Sequence, residues 1–494
     1  MRTCWGYSPK LERIIPLGDL TIDRYLIIAK QVFANLGWSL SHISSRGIVA
    51  YTPISLQSYS EEISIRIEGN TAIFKSECVG IQLLFNDYGK NALNLDLFVL
   101  EFSYAAVQVE ESWTEGQRIS VTPDSDFDQT PLSAKRKIKN VFYLLIPQEN
   151  YVATPIIIFL NVAYFGLYTL FIALFYRYLV ALKFIHPDQI GYYFGANNRE
   201  LVQNGHYWRL ITHQFSHWSF FHLFFNMYAL AYIGLLVEHN LGFKKYICTY
   251  LISGVCGGLV SLLYHESGYM TGASGAIMGL FGAFLALLTS KVFERNATKA
   301  LLISTGIVVL LMLINGAFKK NVDNAAHVGG LVAGFISAYL LYNRRWWRWE
   351  VTSTYRYVWV GCLTLIFSFA VLHGTHKIQT KEFLALEKKY MQNWNEYAKL
   401  YTASRQLSKA EQLHLIQTKG IGSWKRNDLL VKEMLQLNLT KKQRAKAEFH
   451  AKVVPIKSRM VELLYKERLD STKYYRREIR ELTRKLNALR MEDR

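Results

Sequence analysis

The sequence predicts a mainly α-helical, polytopic membrane protein, in which a bundle of spans lies between a small N-terminal α+β domain and a helical C-terminal tail. Apolar stretches of about bilayer length recur through residues 150–345 and once more in residues 350–374. Residues 1–140 instead show the mixed helical and alternating patterns of a small soluble domain. Residues 375–494 are charged and poor in Gly and Pro, which is typical of solvated helices. The chain therefore divides into a soluble domain, a six-span core, a seventh span and a tail.

Composition and charge indicate which kind of partner the chain binds. The chain has 494 residues, 51% of them apolar, and a formal net charge of +19. In a soluble protein that charge would favour nucleic-acid binding. Here the cations flank apolar stretches and crowd the tail, so anionic lipid headgroups are the expected partner and nucleic acid is not. The five cysteines form no Cys-x-x-Cys pair, which argues against a disulfide framework or a zinc ribbon.

The N-terminal domain begins with a helical pattern over residues 20–36. Residues 63–74 alternate with period two on either side of Gly69-Asn70, which predicts a β-hairpin. Residues 80–85 and 98–102 are further strand candidates. This mixture predicts a small α+β domain, and nothing in its sequence indicates what it binds.

Seven spans are predicted from the apolar stretches. They cover residues 152–175, 218–237, 246–264, 273–290, 300–318, 325–342 and 356–373. A linker at residues 124–129 and a basic run at residues 135–139 precede the first span and place the N-terminal domain in the cytoplasm by the positive-inside rule. Lys319 and Lys320 disagree with this orientation but are outnumbered. An odd number of spans then places the tail outside, since long domains translocate regardless of their charge.

No early apolar run with a cleavage site is present, so we expect an internal span to direct insertion. The bacterial plasma membrane is the expected location. In the tail, Ile479, Leu482, Leu486 and Leu489 recur at helical spacing, which predicts two to four amphipathic helices. The alternative is a solvated or surface-bound tail with no chemistry of its own.

Ser274 lies between small residues at the start of an apolar stretch. A buried hydroxyl in a membrane is costly unless it has a partner. At a helix N-terminus, free N–H groups and the positive end of the dipole could stabilise the oxyanion of a tetrahedral intermediate. The alternative is that Gly275, Gly279 and Ala283 form a small-residue face that serves helix packing alone.

His327 is the candidate base. It lies near the outer end of the sixth stretch, three residues before a Gly330-x-x-x-Gly334 face that lets another backbone approach closely. If the small faces of spans four and six pack together, the imidazole can take the Ser274 proton. Asp323 lies one helical turn before His327, where it could orient the ring, but we interpret it as an exposed loop acid.

A polar cluster near the second span supplies further candidates. His222 and Asn226 lie four residues apart on one helix face, and His213 and His217 have the same spacing just before them. As hydrogen-bond donors, His222 and Asn226 suit an oxyanion hole. A zinc site is the alternative, but no carboxylate or cysteine completes a ligand set, so no metal is expected.

These motifs follow one another on the expected spans. They are Tyr207-Trp208-Arg209, His217-x-x-x-x-His222-x-x-x-Asn226, Gly272-Ala273-Ser274-Gly275 and Ala326-His327-x-x-Gly330-x-x-x-Gly334. Together they resemble the rhomboid family of intramembrane serine proteases over residues 150–345. The resemblance implies a six-span core with a Ser–His dyad, no required third acid and no cofactor. It implies cleavage of peptide bonds in or near transmembrane segments of membrane proteins.

The resemblance also implies roles for single residues. Ser274 and His327 would form the dyad, while His222, Asn226 and the Ser274 N–H would bind the oxyanion. Trp208 and Arg209 would belong to a long, half-embedded first loop over residues 182–215, and the seventh span would be an addition to the core. His217, Gly272, Gly330 and Gly334 would be structural.

One position departs from the family pattern. Where relatives often carry an aromatic residue one turn after the serine, this sequence has Met278, so we expect a looser dyad. Two rival functions stay open. A non-catalytic relative that binds transmembrane helices would keep the fold without the dyad. A histidine-dependent metal or proton transporter predicts internal repeats, and none is found in the sequence.

Overall fold

A computed structural model describes residues 4, 9–54, 60–79, 86–112, 144–181, 194–290, 295–319, 322–342, 353–403 and 407–492. The chain forms two compact units. The first contains the N-terminal domain and the apolar helices. The second contains residues 372–494 together with two short segments, residues 198–206 and 265–268.

The N-terminal domain is an α+β domain, as predicted. Its five-stranded antiparallel sheet has the order β1-β5-β4-β3-β2. The strands are β1 Lys10–Pro16, β2 Ser39–Ser44, β3 Gly47–Tyr51, β4 Glu61–Glu68 and β5 Thr71–Cys78. The helices are α1 Ile22–Asn35 and α2 Lys90–Ser112. The predicted hairpin is confirmed, since Glu68 pairs with Thr71 across the turn and Gly69 adopts the left-handed φ of +58° that the turn requires.

The strand predicted at residues 98–102 is wrong, because these residues lie inside α2. Phe98, Ala105 and Val109 are buried at helical spacing in the domain core. A run of five residues, four of them apolar, does not distinguish a strand from a buried helix, and the helical period becomes visible only over a longer window. α2 also has the length and composition of a membrane span, although this buried face packs within the domain. The strand candidate at residues 80–85, the linker and the basic run lie outside the described residues.

The seven predicted spans are confirmed as helices. They are α3 Ala153–Ala181, α6 Phe220–Leu241, α7 Phe243–Tyr264, α8 Ser274–Thr289, α9 Arg295–Phe318, α10 Asn324–Tyr342 and α11 Ser353–Gly374. Two short helices precede α6, namely α4 Arg199–Gln203 and α5 Arg209–Thr212. Every span except α8 is long and apolar enough to cross a bilayer, and α8 is a shorter apolar helix. The chain is therefore a multi-pass membrane protein.

The tail is helical, as predicted. Its helical segments are α12 Thr380–Ala403, α13 Lys409–Leu415, α14 Gly422–Gln436, α15 Lys441–Leu469 and α16 Arg476–Glu492. A π-helical stretch, Ile416–Ile421, joins α13 to α14 without a break, so the described part of the tail has four continuous helices, within the two to four that were expected. Their apolar faces form a separate core around Tyr390, Trp424 and Val461. Within the same unit, the Nε2 of Gln203 donates to the hydroxyl of Thr375 at 3.0 Å.

Candidate active site

Ser274 is the first residue of α8 and is half-buried. Gly272, two residues earlier, has a φ of +117°, a conformation that glycine adopts without strain. A Cβ at this position would lie 2.7 Å from the ring of His222, so only glycine lets that ring reach the backbone ahead of the serine. The Gly272 N–H donates to the carbonyl of His213 at 2.9 Å. Two histidines therefore contact the turn before Ser274, His222 through its ring and His213 through its backbone carbonyl.

His213 supports this turn through its backbone carbonyl, and His217 supports it through its ring. The Ala273 N–H donates to Nε2 of His217 at 3.4 Å, and Nδ1 of His213 lies 2.8 Å from the carbonyl of Arg209. Burial lowers the pKa of His213 to about 4. Burial, helped by repulsion from His222, lowers the pKa of His217 to about 3. Both imidazoles are therefore uncharged near pH 7. In that state the His213 ring donates to the Arg209 carbonyl, and the His217 ring accepts from the Ala273 N–H.

His327 lies in the first turn of α10 and is buried. Its N–H donates to the carbonyl of Asp323 at 3.1 Å, while its ring Nδ1 has no hydrogen-bond partner among the described residues. A Cβ at Gly275 would lie 3.5 Å from the carbonyl of Ala326, so the residues next to Ser274 and His327 are in contact. The structure thus brings the two backbones together, and it contains no hydrogen bond between the hydroxyl and the imidazole.

The contact between α8 and α10 depends on glycine. A Cβ at Gly330 would fall 2.0 Å from the carbonyl oxygen of Gly275, and one at Gly334 would fall 1.9 Å from that of Gly279. Both distances are shorter than any side chain permits, so the helices meet backbone to backbone. Small residues allow this approach in membrane bundles. The sequence-predicted packing of the two small faces is present, and it places Ser274 and His327 at the same end of the pair.

His222 and Asn226 lie near the serine from the side of α6. The Nδ2 of Asn226 donates to the His222 carbonyl at 2.9 Å and would lie 3.9 Å from a Cβ at Gly272. The His222 ring packs edge-on against His217, with 4.9 Å between ring centroids, and interacts electrostatically with His327. The candidate donors, the serine turn and the candidate base therefore form one cluster.

Trp208 and Arg209 shape the described part of the first loop. The Arg209 side chain is buried, and its Nη1 donates to the carbonyl of Ala196 at 2.9 Å. Its guanidinium lies 4.5 Å from the Trp208 ring centroid. The hydroxyl of Thr212 donates to the carbonyl of Gly195 at 2.9 Å. These bonds fold residues 194–216 back on themselves, which fits a structural part for both residues.

Asn197 is a site residue that the sequence analysis missed. It pairs with Met270 through two backbone hydrogen bonds of 2.8 Å, four residues ahead of Ser274. Its Nδ2 also donates to the Gly258 carbonyl of α7 at 3.1 Å. A single asparagine in a loop carries no sequence signal for this connection.

Glu238 was also missed, although an acid inside an apolar stretch is a recognisable signal. Its carboxylate is buried near the end of α6 and accepts from the first N–H groups of α3. The bonds come from Val152 N at 2.7 Å, Ala153 N at 2.6 Å and Thr154 N at 2.9 Å. This anion at a helix N-terminus satisfies donors that the helix itself cannot.

The interpretation of Asp323 as an exposed loop acid is wrong. Its side chain is half-buried and accepts the N–H of Ala326 at 3.0 Å, which caps the start of α10. It also accepts a hydrogen bond from the hydroxyl of Ser261 in α7. Met278, the departure from the family pattern, is fully buried in the bundle core.

Comparison with known proteins agrees with these motifs. A model of the rhomboid domain matches residues 204–344. RHOMBOID-like protein 5 of Arabidopsis thaliana is 40% identical over 153 residues, which are 30% of this chain and 49% of that protein. Rhomboid protease GluP of Bacillus subtilis is 39% identical over 151 residues, 29% of this chain and 28% of its own length.

Rhomboid-like protease 2 of Toxoplasma gondii is 33% identical over 188 residues, which are 36% of this chain and 65% of that protein. This chain thus spans about half of the plant relative and about a quarter of the Bacillus one. The part of the chain that matches the rhomboid-domain model includes α5 to α10 and the candidate site.

Proposed function

The chain belongs to the rhomboid family through residues 204–344, and on that premise we propose that it is an intramembrane serine endopeptidase. Its substrates are transmembrane proteins, cleaved in or near a membrane-spanning segment. The observation that supports this most strongly is the contact of α8 with α10. It holds Ser274 and His327 at one end of the helix pair, with His222 against the turn before the serine.

Ser274 is the nucleophile. His327 accepts the hydroxyl proton as the oxygen attacks the scissile carbonyl, and then donates it to the leaving amine. Water hydrolyses the resulting acyl-enzyme with His327 again as base. The developing oxyanion is held by His222, Asn226 and the Ser274 N–H, because the first turn of α8 has unpaired donors and a positive dipole end.

The substrate must expose a peptide bond before it can react. A transmembrane helix satisfies its own backbone groups, so it has to unwind locally near Ser274. Small or helix-breaking residues lower that cost, which makes them the expected cleavage context. In the orientation that we propose, the N-terminal domain is cytoplasmic and the tail is outside. The bacterial plasma membrane remains a prediction.

The decisive experiment compares purified wild type with Ser274→Ala on a model transmembrane substrate in detergent. We expect cleavage by the wild type and none by the variant. A fluorophosphonate probe on the same samples reports an activated serine without needing the right substrate. Equal cleavage by both proteins, or probe labelling that does not depend on Ser274, would overturn the proposal.

A further inference from the structure

The first turn of α10, which carries His327, is attached to two neighbouring helices. On one side the carboxylate of Asp323 accepts a hydrogen bond from the hydroxyl of Ser261, a buried residue in the last turn of α7. On the other side the Nδ2 of Asn324 donates to the carbonyl of Leu313 in α9 at 2.8 Å. The start of the helix is thus tied to its neighbours through side chains.

The carboxylate of Asp323 accepts two hydrogen bonds, one with each oxygen. One oxygen accepts the N–H of Ala326 at 3.0 Å and so caps the helix, while the other oxygen binds Ser261. The Asp323 carbonyl accepts the N–H of His327 itself, at 3.1 Å. Asp323 therefore binds the backbone N–H groups of both Ala326 and His327. Its bond to Ser261 in turn fixes the position of Asp323 relative to α7.

Next to this attachment, α7 and α10 pack closely together. A Cβ at Gly257 of α7 would lie 2.7 Å from the carbonyl of Ala326, so the two helices touch at the residue before His327. Sliding of α10 along this glycine contact would be resisted mainly by directional bonds at the helix end. The bond between Ser261 and Asp323 is such a bond, one turn of α7 beyond Gly257.

We propose that Ser261 and Asp323 form a positioning pair for His327, which fixes the imidazole at its working distance from Ser274. This inference rests on the proposed function, since it assigns His327 the part of the base. The pair does not touch the substrate. Its effect is on geometry, because a small misplacement of a catalytic group lowers the rate strongly.

The test measures kcat and KM separately for Asp323→Ala and Ser261→Ala in the full-length protein. We expect kcat to fall about 10- to 100-fold in each, with KM within about twofold. Asp323→Asn should recover most of the activity, since its amide oxygen still accepts from Ala326 and its NH₂ can donate to Ser261. The double variant should be no worse than Asp323→Ala, because the two residues act as a unit.

Ser253→Ala is the matched control. Ser253 lies on α7 and is buried, but its hydroxyl donates to the Thr249 carbonyl of its own helix at 2.6 Å. Its kcat should stay at the wild-type value. Three outcomes would overturn the proposal that these residues act as a positioning pair. They are an unchanged kcat in the Asp323 and Ser261 alanine variants, additive losses in the double variant, and no recovery of activity in Asp323→Asn.

A second readout separates this inference from the proposed function. The ring nitrogen resonances of His327, recorded with ¹⁵N-labelled histidine, should shift in Asp323→Ala and Ser261→Ala and not in Ser253→Ala. Resonances that do not move would overturn the positioning role. Wild-type protein that neither cleaves nor labels at Ser274 would overturn the proposed function alone, while the His327 resonances would still report whether the pair positions the ring.

Discussion

The carboxylate of Glu238, near the end of α6, accepts hydrogen bonds from both donors of Thr154, in the first turn of α3. It accepts the Thr154 N–H at 2.9 Å and the Thr154 hydroxyl at 2.7 Å. Gly234 makes this approach possible, because a Cβ there would lie 2.4 Å from the hydroxyl oxygen. One acidic side chain thus joins the first two spans of the bundle.

We expect Glu238→Ala to destabilise the folded protein by about 3 kcal/mol or more, because it leaves several buried donors without an acceptor. Glu238→Gln should cost less, since one acceptor oxygen is kept. Denaturant or thermal unfolding in detergent measures both. Glu68→Ala, which removes an exposed acid in the N-terminal domain, is the control. A Glu238→Ala protein as stable as this control would contradict the structural role.

A second prediction concerns the contact between α8 and α10. Gly330→Ala would place a methyl group against the Gly275 carbonyl, and the two backbones must separate to admit it. Overpacking of this kind typically costs about 1–3 kcal/mol, and it should also abolish probe labelling of Ser274 because the dyad separates. Gly306→Ala in α9 is the matched control, because the added Cβ would meet no atom of another described element within 4 Å. Equal labelling of both variants would show that the contact does not hold the site.

The oxyanion donors can be tested through kinetics. His222→Ala and Asn226→Ala should each lower kcat by about 10²–10³ while KM changes little, because the donors act on charge that develops in the transition state. Asn240→Ala is a close control, since Asn240 donates to the Leu236 carbonyl with the same four-residue spacing that Asn226 uses to His222. A fall in substrate affinity at constant kcat would assign the residue to binding instead.

The sequence predicted the bundle well because each span has its own local signal. Apolar length identifies α3, α6, α7, α9 and α11, and small residues identify the faces of α8 and α10. The dyad candidates were identified because a hydroxyl and an imidazole inside apolar stretches are unusual.

What the sequence did not predict depends on long-range geometry. β1 of the N-terminal sheet pairs with β5, about 60 residues away in the sequence. The pairing of Asn197 with Met270, and the bond of Ser261 to Asp323, join residues more than 60 positions apart. No local pattern fixes such partners.

The last prediction concerns pH. His213 is buried with a pKa lowered to about 4, while in the unfolded chain its pKa is about 6.5. Between these values the unfolded state binds a proton that the folded state excludes, so stability falls as the pH falls through this window. Within this window His213 should make the unfolding free energy change with pH by up to about 1.4 kcal/mol per pH unit. Above about pH 6.5 His213 should contribute nothing to this pH dependence.

His217, with a pKa lowered to about 3, adds to the same loss. Unfolding free energies measured from pH 7.5 down to pH 4.5 should therefore depend less steeply on pH in His213→Gln than in the wild type. His376→Gln, which replaces an exposed histidine of the tail, is the control variant. An equal slope in wild type and His213→Gln would mean that His213 is charged in the folded protein.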